Sequence, residues 1–337
     1  MAQIMYGRWG SKSGEEVVVC RVDEETIEVH CHGGEAAAAR ILADLAQHGA
    51  SVQTWRDRAG DSIRAAAFRA LTEATTKPAA AILWDQYAGA LVRALADLKV
   101  RIRDDHLATA VEAIDRLLSF AELGLHLTTT WRVALVGSPN VGKSSLLNAV
   151  LGFGRAIVHD QPGTTRDLVT GITAFAGWPC LLVDTAGLRA TAEPIERAGV
   201  ALAAQELQQA DLLLWVRDAT SGSDDELQLP SQIAREPLVV WNKCDLLDSA
   251  TPTIGGGLLA SALTGQGIES LVAAIAQRLV PETPPRGAAV PFTPAQVARL
   301  KNIQTDLRFG RAREALDALE SWLGEQTSEI LPGEIRE

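Results

Sequence analysis

The run from Gly137 to Ser144 reads G-S-P-N-V-G-K-S, which fits the phosphate-loop pattern G-x-x-x-x-G-K-[ST]. It follows an apolar run at 133–136 and precedes a helical stretch at 145–150. Glycines in such a loop let consecutive backbone N–H groups turn toward phosphate oxygens, and the helix N-terminus adds positive potential. We therefore expect this segment to hold a polyphosphate chain.

The polar side chains of this loop have distinct expected roles. Lys143 can reach the β- and γ-phosphates of a nucleoside triphosphate, which makes it a candidate catalytic residue, and the Ser144 hydroxyl can ligate Mg²⁺. The loop residues that we expect to contact the nucleotide are Asn140, Val141, Gly142, Lys143, Ser144 and Ser145.

Two segments between the loop and the middle of the chain could complete a magnesium site. Asp184 opens the motif D-T-A-G, which ends at Gly187 and follows the apolar run 180–183, so its carboxylate can hold Mg²⁺ through water. Thr165 lies in the motif G-T-T-R-D, where a threonine that grips Mg²⁺ only beside a γ-phosphate would form a switch. A simple turn rich in threonine and glycine is the alternative for this segment.

A third motif indicates which base is bound. Asn242, Lys243 and Asp245 belong to N-K-C-D, which follows the apolar run 238–241. The Asp245 carboxylate can accept hydrogen bonds from N1–H and N2–H₂ of guanine, whereas adenine has no matching pair of donors on that edge. Ser261 and Ala262 follow another strand-like stretch and could offer a backbone N–H to guanine O6. The nucleotide is therefore expected to be GTP or GDP, not ATP.

The elements that must position these motifs follow from the apolar pattern. Continuous apolar runs at 133–136, 180–183, 212–216 and 238–241 are typical of parallel strands buried on both faces. Leucine and isoleucine at helical spacing mark segments on both sides of this block. The predicted fold is an α/β P-loop GTPase domain with a mostly parallel sheet, inserted in an α-helical domain, with a small α+β N-terminal domain. The predicted boundaries are 1–60 for the N-terminal domain, 61–127 and 282–337 for the helical halves, and 128–281 for the G domain.

Composition sets further bounds on the 337-residue chain. Its net charge of −11 argues against a nucleic-acid binder that uses its whole surface. No apolar run reaches the roughly 18 residues of a membrane helix, so no membrane partner is expected. The four cysteines contain no C-x-x-C pair, which favours a reduced, cytoplasmic protein.

Together, the motifs G-S-P-N-V-G-K-S, G-T-T-R-D, D-T-A-G-L-R and N-K-C-D resemble the G domain of the tRNA-modification GTPase family called TrmE or MnmE. The resemblance covers about 131–280, and the segment V-H-C-H-G-G at 29–34 is similar to part of that family's N-terminal domain. It implies GTP hydrolysis stimulated by K⁺ and by a homodimer that forms through the G domains. It also implies a link to modification of the tRNA wobble uridine, with tRNA or a tRNA-modification protein as partner.

The resemblance also assigns residues to catalysis. Leu188 follows the glycine of D-T-A-G and cannot orient water, a role that the family gives to a glutamate matched here by Glu196. A stabilising carboxylate in the first turn of a helix is the alternative for Glu196. The family's K⁺ ligands match Asn140 and Thr164, although His159 stands where the family usually has threonine. For Asn140, a turn residue that bonds its own loop is the alternative.

The function, the His-Cys-His segment and the basic residues of the helical segments each have two possible interpretations. The chain ends L-P-G-E-I-R-E where the family has Cys-Ile-Gly-Lys, and its N-terminal part is short, so a regulatory GTPase switch in the assembly of ribosomes or another complex is the alternative function. His30, Cys31 and His32 could be metal ligands, but a turn at a strand end is favoured. Basic residues of the helical segments could bind RNA, but solvated helix faces are favoured.

Overall fold

A computed structural model of the chain describes residues 3–10, 14–24, 26–32, 34–52, 62–153, 170–184, 207–221, 236–247 and 256–327. The described residues before residue 60 form one compact unit, and those from residue 62 onward form a second. The four predicted domain boundaries remain predictions. Among the described residues, no helix has the length and apolar character needed to cross a membrane.

The first unit is an antiparallel sheet with one helix. Its elements are β1 (Gln3–Trp9), β2 (Glu15–Arg21), β3 (Ile27–Cys31) and α1 (Glu35–Gln47). The strand order is β1-β2-β3, with Tyr6 opposite Val18 and Val19 opposite Val29. Val17 and Ile41 are buried, and Trp9 Nε1 donates to Asp44 Oδ2 at 3.0 Å. This sheet and helix agree with the small α+β N-terminal domain predicted from the sequence, but no sequence pattern indicated β1.

The second unit contains an α/β domain and two helical segments that pack against each other. The helices are α2 (Ile63–Glu73), α3 (Lys77–Tyr87), α4 (Ala90–Arg103), α5 (Leu107–Ser119), α6 (Ala121–Leu125), α9 (Pro294–Arg308) and α10 (Ala312–Gly324). Helix α4 contacts α10, and α5 contacts α9. The buried stripe of α4 contains Leu91, Leu95 and Leu98, spaced as an amphipathic helix requires. Thr293 and Gln296 form a capping box that starts α9.

A buried glutamine ties α3 to the chain that leads into α9. The Gln86 side chain is fully buried, and its Nε2 donates to the Ala288 carbonyl at 3.0 Å while its Oε1 accepts from the Val290 N–H at 3.1 Å. Gly124 packs so closely there that a Cβ would lie 2.0 Å from the Pro291 carbonyl oxygen. These contacts join residues about two hundred positions apart, as expected when a domain is inserted in a helical domain.

The α/β part is a six-stranded sheet in the order β5-β6-β4-β7-β8-β9. The strands are β4 (Trp131–Val136), β5 (Thr170–Phe175), β6 (Trp178–Asp184), β7 (Leu212–Asp218), β8 (Leu238–Asn242) and β9 (Leu258–Leu259), with helices α7 (Lys143–Phe153) and α8 (Ile268–Leu279). The pairings β6-β4-β7-β8-β9 are parallel, and β5 is an antiparallel edge strand. This agrees with the predicted P-loop GTPase fold, although β5 was not predicted.

Parallel pairing brings the ends of the predicted motifs together. The phosphate loop follows β4, Asp184 ends β6, Asp218 ends β7 and Asn242 ends β8. Because the carboxyl ends of parallel strands lie at one edge of a sheet, these groups share that edge, where α/β proteins bind ligands.

Candidate nucleotide-binding site

The phosphate loop is shaped by close packing of its backbone against β7 and by hydrogen bonds from the Lys143 side chain to loop carbonyls. Gly137 has a φ of 145°, and a Cβ there would lie 2.1 Å from the Val216 carbonyl oxygen of β7. Asn140 also has positive φ, at 64°, which asparagine tolerates better than most residues. Lys143 is 5% exposed, and its Nζ donates to the carbonyls of Gly137 at 3.0 Å and Ser138 at 2.7 Å. The loop therefore fixes an ammonium group at the start of α7.

A hydroxyl and a carboxylate meet next to this loop. The Ser144 Oγ donates to Asp184 Oδ2 at 2.5 Å, and Asp184 is 1% exposed. Oxygen ligands of this kind are those that Mg²⁺ prefers, and a serine with a water-bridging aspartate is a recurrent P-loop arrangement. The residues present therefore fit a magnesium ion. Thr165, the third predicted ligand, lies outside the described residues.

Asn242 joins the phosphate loop to the segment after β9. Its side chain is 2% exposed; Nδ2 donates to the Val141 carbonyl at 2.9 Å, and Oδ1 accepts from the Ala262 N–H at 3.1 Å. The Ala262 amide, one of the two predicted candidates for guanine O6 with that of Ser261, thus donates within the protein. Ser261 is buried, and its Oγ accepts from the Thr264 N–H at 3.1 Å. Both residues shape the turn that closes this side of the site.

A cavity of about 310 Å³ lies beside this bridge. Its volume is at the lower end of the range for small-molecule sites. The half-buried Asp245 lies on a 3-10 turn, Cys244–Leu246, within its lining. The residues that line it are Gly142, Ser145, Asn242, Lys243, Asp245, Leu246, Ala262 and Leu263. Residues from the phosphate loop and from the base-reading motif therefore line one cavity.

Comparison with known proteins identifies the family. The profile described as 50S ribosome-binding GTPase matches residues 132–243. The tRNA modification GTPase MnmE of Syntrophotalea carbinolica is 33% identical over 325 residues, which cover 82% of this chain and 71% of that protein. The chain belongs to the MnmE family. The MnmE proteins of Chloroflexus aurantiacus (34% identical, 88% of this chain and 74% of that protein) and Magnetococcus marinus (35%, 76% and 64%) are similar to it as well.

Membership in the MnmE family confirms the resemblance inferred from the motifs, and with the matched GTPase profile it identifies the chain as a GTP-hydrolysing enzyme. GTP and GDP are therefore its nucleotides. The chain spans 64% of the Magnetococcus marinus protein and somewhat more than 70% of the other two.

Asp218 belongs to the site although the sequence analysis did not select it. Lys243 has a φ of 65°, and its Nζ lies 2.6 Å from Asp218 Oδ2. Thr220 donates both its N–H, at 2.9 Å, and its hydroxyl, at 2.7 Å, to Asp218 Oδ1. Burial alone would raise the pKa of Asp218, but the hydrogen bonds from Lys243 and Thr220 outweigh it and lower that pKa. An aspartate at the end of a buried strand, like Asp184, was the signal that could have revealed it.

Several predicted residues lie outside the described residues, and their roles stay predictions. They are the switch threonines Thr164 and Thr165, Gly187 of D-T-A-G, Leu188 after it, the candidate water-orienting Glu196, and His159 near the expected K⁺ ligands.

The two side interpretations remain predictions, and the described contacts favour structural roles. His30 pairs with Glu28 at 3.2 Å and His32 with Glu15 at 3.0 Å, and the described residues contain no cluster of three or more His, Cys, Asp or Glu side chains that could hold a metal ion. Many basic side chains of the helical segments are in ion pairs, including Lys99–Glu320, Arg101–Asp97, Arg299–Glu325, Arg308–Asp115 and Arg311–Asp306. Such pairs are typical of solvated helix faces.

Proposed function

We propose that this MnmE-family GTPase acts in modification of the tRNA wobble uridine and that K⁺ and pairing of two G domains activate its hydrolysis. The observation that supports nucleotide binding is the placement of Lys143, Ser144 and Asp184 at the same edge of the sheet as the cavity beside Asn242. The tRNA part is supported by the relatives, which are tRNA modification GTPases.

The geometry supports a mechanism of positioning and charge stabilisation. Negative charge develops on the phosphate oxygens as the γ-phosphoryl group passes to water, and Lys143 is already fixed by two loop carbonyls, so little reorganisation is needed. Mg²⁺, when bound through Ser144 and Asp184, would neutralise part of that charge. Glu196 is our candidate to accept a hydrogen bond from the attacking water, since Leu188 has no polar side-chain atom.

The potassium proposal rests on Asn140 at the tip of the loop. Asn140 is exposed in its left-handed conformation, so its amide oxygen is available for an ion, which would take the place of an arginine finger beside the phosphates. We expect GTP hydrolysis to be faster in KCl than in NaCl at equal ionic strength, and Asn140→Ala to lose this difference while it retains GDP binding. Equal rates in the two salts would reject the proposal.

Dimer activation is tested separately. We expect the GTPase rate per chain to rise with protein concentration in KCl, together with a shift from monomeric to dimeric G domains when GDP, AlF₄⁻ and K⁺ are added. A rate per chain that is independent of concentration, with no change in mass by light scattering, would remove pairing from the mechanism.

Base selection is assigned to Asp245. Because two hydrogen bonds to a charged group contribute roughly 1.5–3 kcal/mol each, Asp245→Asn is expected to weaken GDP binding by well over tenfold and to favour xanthosine diphosphate. Glu269→Gln, an exposed change outside the cavity lining, is the control and should leave both affinities unchanged. Unchanged GDP affinity in Asp245→Asn would remove Asp245 from this role.

The alternative function is a GTP-controlled switch in the assembly of ribosomes or another complex. The matched profile over 132–243 is described as a 50S ribosome-binding GTPase, which favours this second candidate. The two are separated by loading the chain with a non-hydrolysable GTP analogue and measuring retention of purified tRNA against purified ribosomal subunits. Retention of tRNA alone supports the first function, and retention of subunits alone supports the second.

A further inference from the structure

At the edge of the sheet opposite the nucleotide, both ring nitrogens of His126 face hydrogen-bond acceptors. Nδ1 lies 2.9 Å from the carbonyl oxygen of Glu122, and Nε2 lies 3.2 Å from Asp211 Oδ2. A carbonyl oxygen can only accept, and the carboxylate accepts from the ring as well. A neutral imidazole carries one N–H, so it can satisfy one of the two contacts, whereas an imidazolium satisfies both.

The surroundings of the ring also favour a cation. The His126 ring stacks on Trp131 with centroids 3.7 Å apart and planes 9° apart, and Trp131 is 1% exposed. The face of an indole attracts positive charge. Asp211 Oδ2 in addition accepts the Arg132 N–H at 2.7 Å, as an ionised carboxylate does, while the Asp211 N–H donates to the Arg132 carbonyl at 2.8 Å.

The charged groups around His126 come from four elements. Glu122 is on α6, Arg132 is on β4, and Asp211 precedes β7. Glu122 and Asp211 help to line a cavity of about 250 Å³, which Glu236, before β8, and Arg278, on α8, also line. The side chains of Glu236 and Arg278 lie 3.5 Å apart and pair with each other. Burial opposes protonation of His126, but the hydrogen bond to Asp211 and the one to the Glu122 carbonyl outweigh it and raise its pKa.

The position of this cluster gives it a mechanical role. His126 directly follows α6, the last helix before the α/β domain, and Trp131 is the first residue of β4. The two hydrogen bonds between Asp211 and Arg132, which we call the clamp, join the starts of β7 and β4. At its other end β4 runs into the phosphate loop, and β7 ends at the Asp218 that holds Lys243.

We propose that His126, as an imidazolium, is a pH-sensitive latch that fastens the first helical segment to the amino ends of β4 and β7. Loss of one proton breaks the ring's hydrogen bond to either the Glu122 carbonyl or the Asp211 carboxylate. The stabilisation is fully present below the unfolded-state value, near 6.5, and is lost as the pH rises through the higher folded-state pKa. Release of the latch loosens the seam between the helical segment and the sheet that carries the nucleotide.

The protonation state is tested first on the unmodified full chain. In ¹H–¹⁵N spectra of the chain labelled in histidine, we expect His126 to lose its second ring proton with a midpoint above 6.5. Asp211→Asn should lower the midpoint by about one pH unit or more, because it removes the opposite charge. A midpoint at or below 6.5, or a midpoint unaffected by Asp211→Asn, would overturn the proposal.

The mechanical consequence is tested with a matched pair of variants. His126→Gln removes the latch, and His106→Gln changes an exposed histidine before α5 in the same helical segment. The melting temperature of the unmodified chain should fall as the pH rises from 6.5 through the titration midpoint of His126 measured in these spectra. That fall should be absent in His126→Gln and retained in His106→Gln. The same fall in all three proteins would show that other groups cause it. Should His126→Gln not fold, the comparison is made with Asp211→Asn, in which the fall should begin at lower pH.

Discussion

Gly142→Ala is predicted to damage the nucleotide site through a single methyl group. Gly142 has a φ of 90°, which costs an L-residue about 1–2 kcal/mol. An added Cβ would also lie 2.4 Å from Asn242 Nδ2, far inside contact distance. Asn242 cannot swing away cheaply, because it is 2% exposed and fixed by hydrogen bonds to Val141 and Ala262.

The expected magnitude follows from these two costs. Moving the Asn242 amide breaks a hydrogen bond to the Val141 carbonyl and leaves buried polar atoms without partners, which costs about 1–3 kcal/mol. Added to the strain, the total is about 2–5 kcal/mol, or about 4–20 °C in melting temperature for a domain of this size. Because the displaced groups shape the phosphate loop and the cavity, GDP binding should weaken by about 10- to 100-fold, tenfold for each 1.4 kcal/mol.

The assays are thermal unfolding without nucleotide and calorimetric titration with GDP. Gly152→Ala is the matched control: it lies in α7, the helix that begins directly after Gly142, and a Cβ there would meet nothing within 4 Å. Since alanine is the better helix former, this control should be neutral or stabilising by up to about 1 kcal/mol. If Gly142→Ala matched Gly152→Ala in both assays, the rigid bridge from the loop through Asn242 would be refuted.

Two further predictions test the packing of the second unit and its thiols. Gln86→Leu removes two buried hydrogen bonds to the backbone of residues 288–290. Each backbone group left without its partner costs about 1–3 kcal/mol, so the melting temperature should fall by about 5–10 °C while GDP affinity is unchanged. An unaltered melting temperature would contradict the role of Gln86. Burial raises the pKa of the Cys180 thiol to about 12. At pH 8 a disulfide reagent should therefore modify the partly exposed Cys20 and Cys31 at least tenfold faster than Cys180, as followed by absorbance with the fully unfolded chain as reference. Equal rates for the three thiols would contradict the burial of Cys180.

The central strands could be predicted from sequence because they are buried on both faces. The apolar runs at 133–136, 180–183, 212–216 and 238–241 lie within β4, β6, β7 and β8. The missed strands, β1 and β5, are edge strands with mixed composition, in which partner strands decide the conformation. The hairpin joining β5 to β6 turns at Ala176 and Gly177, both with positive φ, which a two-residue turn favours.

The site was predicted as a set of residue types, but not as a set of contacts. The motifs placed Asn242 and Ala262 at the nucleotide, and both line the cavity, but no motif indicated that the Ala262 N–H donates to the Asn242 side chain. Asp218 and His126 belong to no recognised motif, and each is defined by a partner distant in the sequence, Lys243 and Asp211. Spacing along the chain predicts local geometry, but it does not indicate which distant strand end supplies a counter-charge.

The two central strands connect polar clusters at their opposite ends. At their amino ends, Asp211 clamps β7 to β4, and at their carboxyl ends Gly137 packs against the Val216 carbonyl. Between these points Val133, Leu135 and Leu214 are fully buried, and the strands span about 20 Å at roughly 3.3 Å per residue. A close-packed interior does not absorb a shift at one end, because neighbouring atoms have no free volume into which to relax. We therefore expect the state of the helical seam to influence the shape of the phosphate loop through β4 and β7, so that His126→Gln should alter GDP affinity although His126 lies at the far end of these strands.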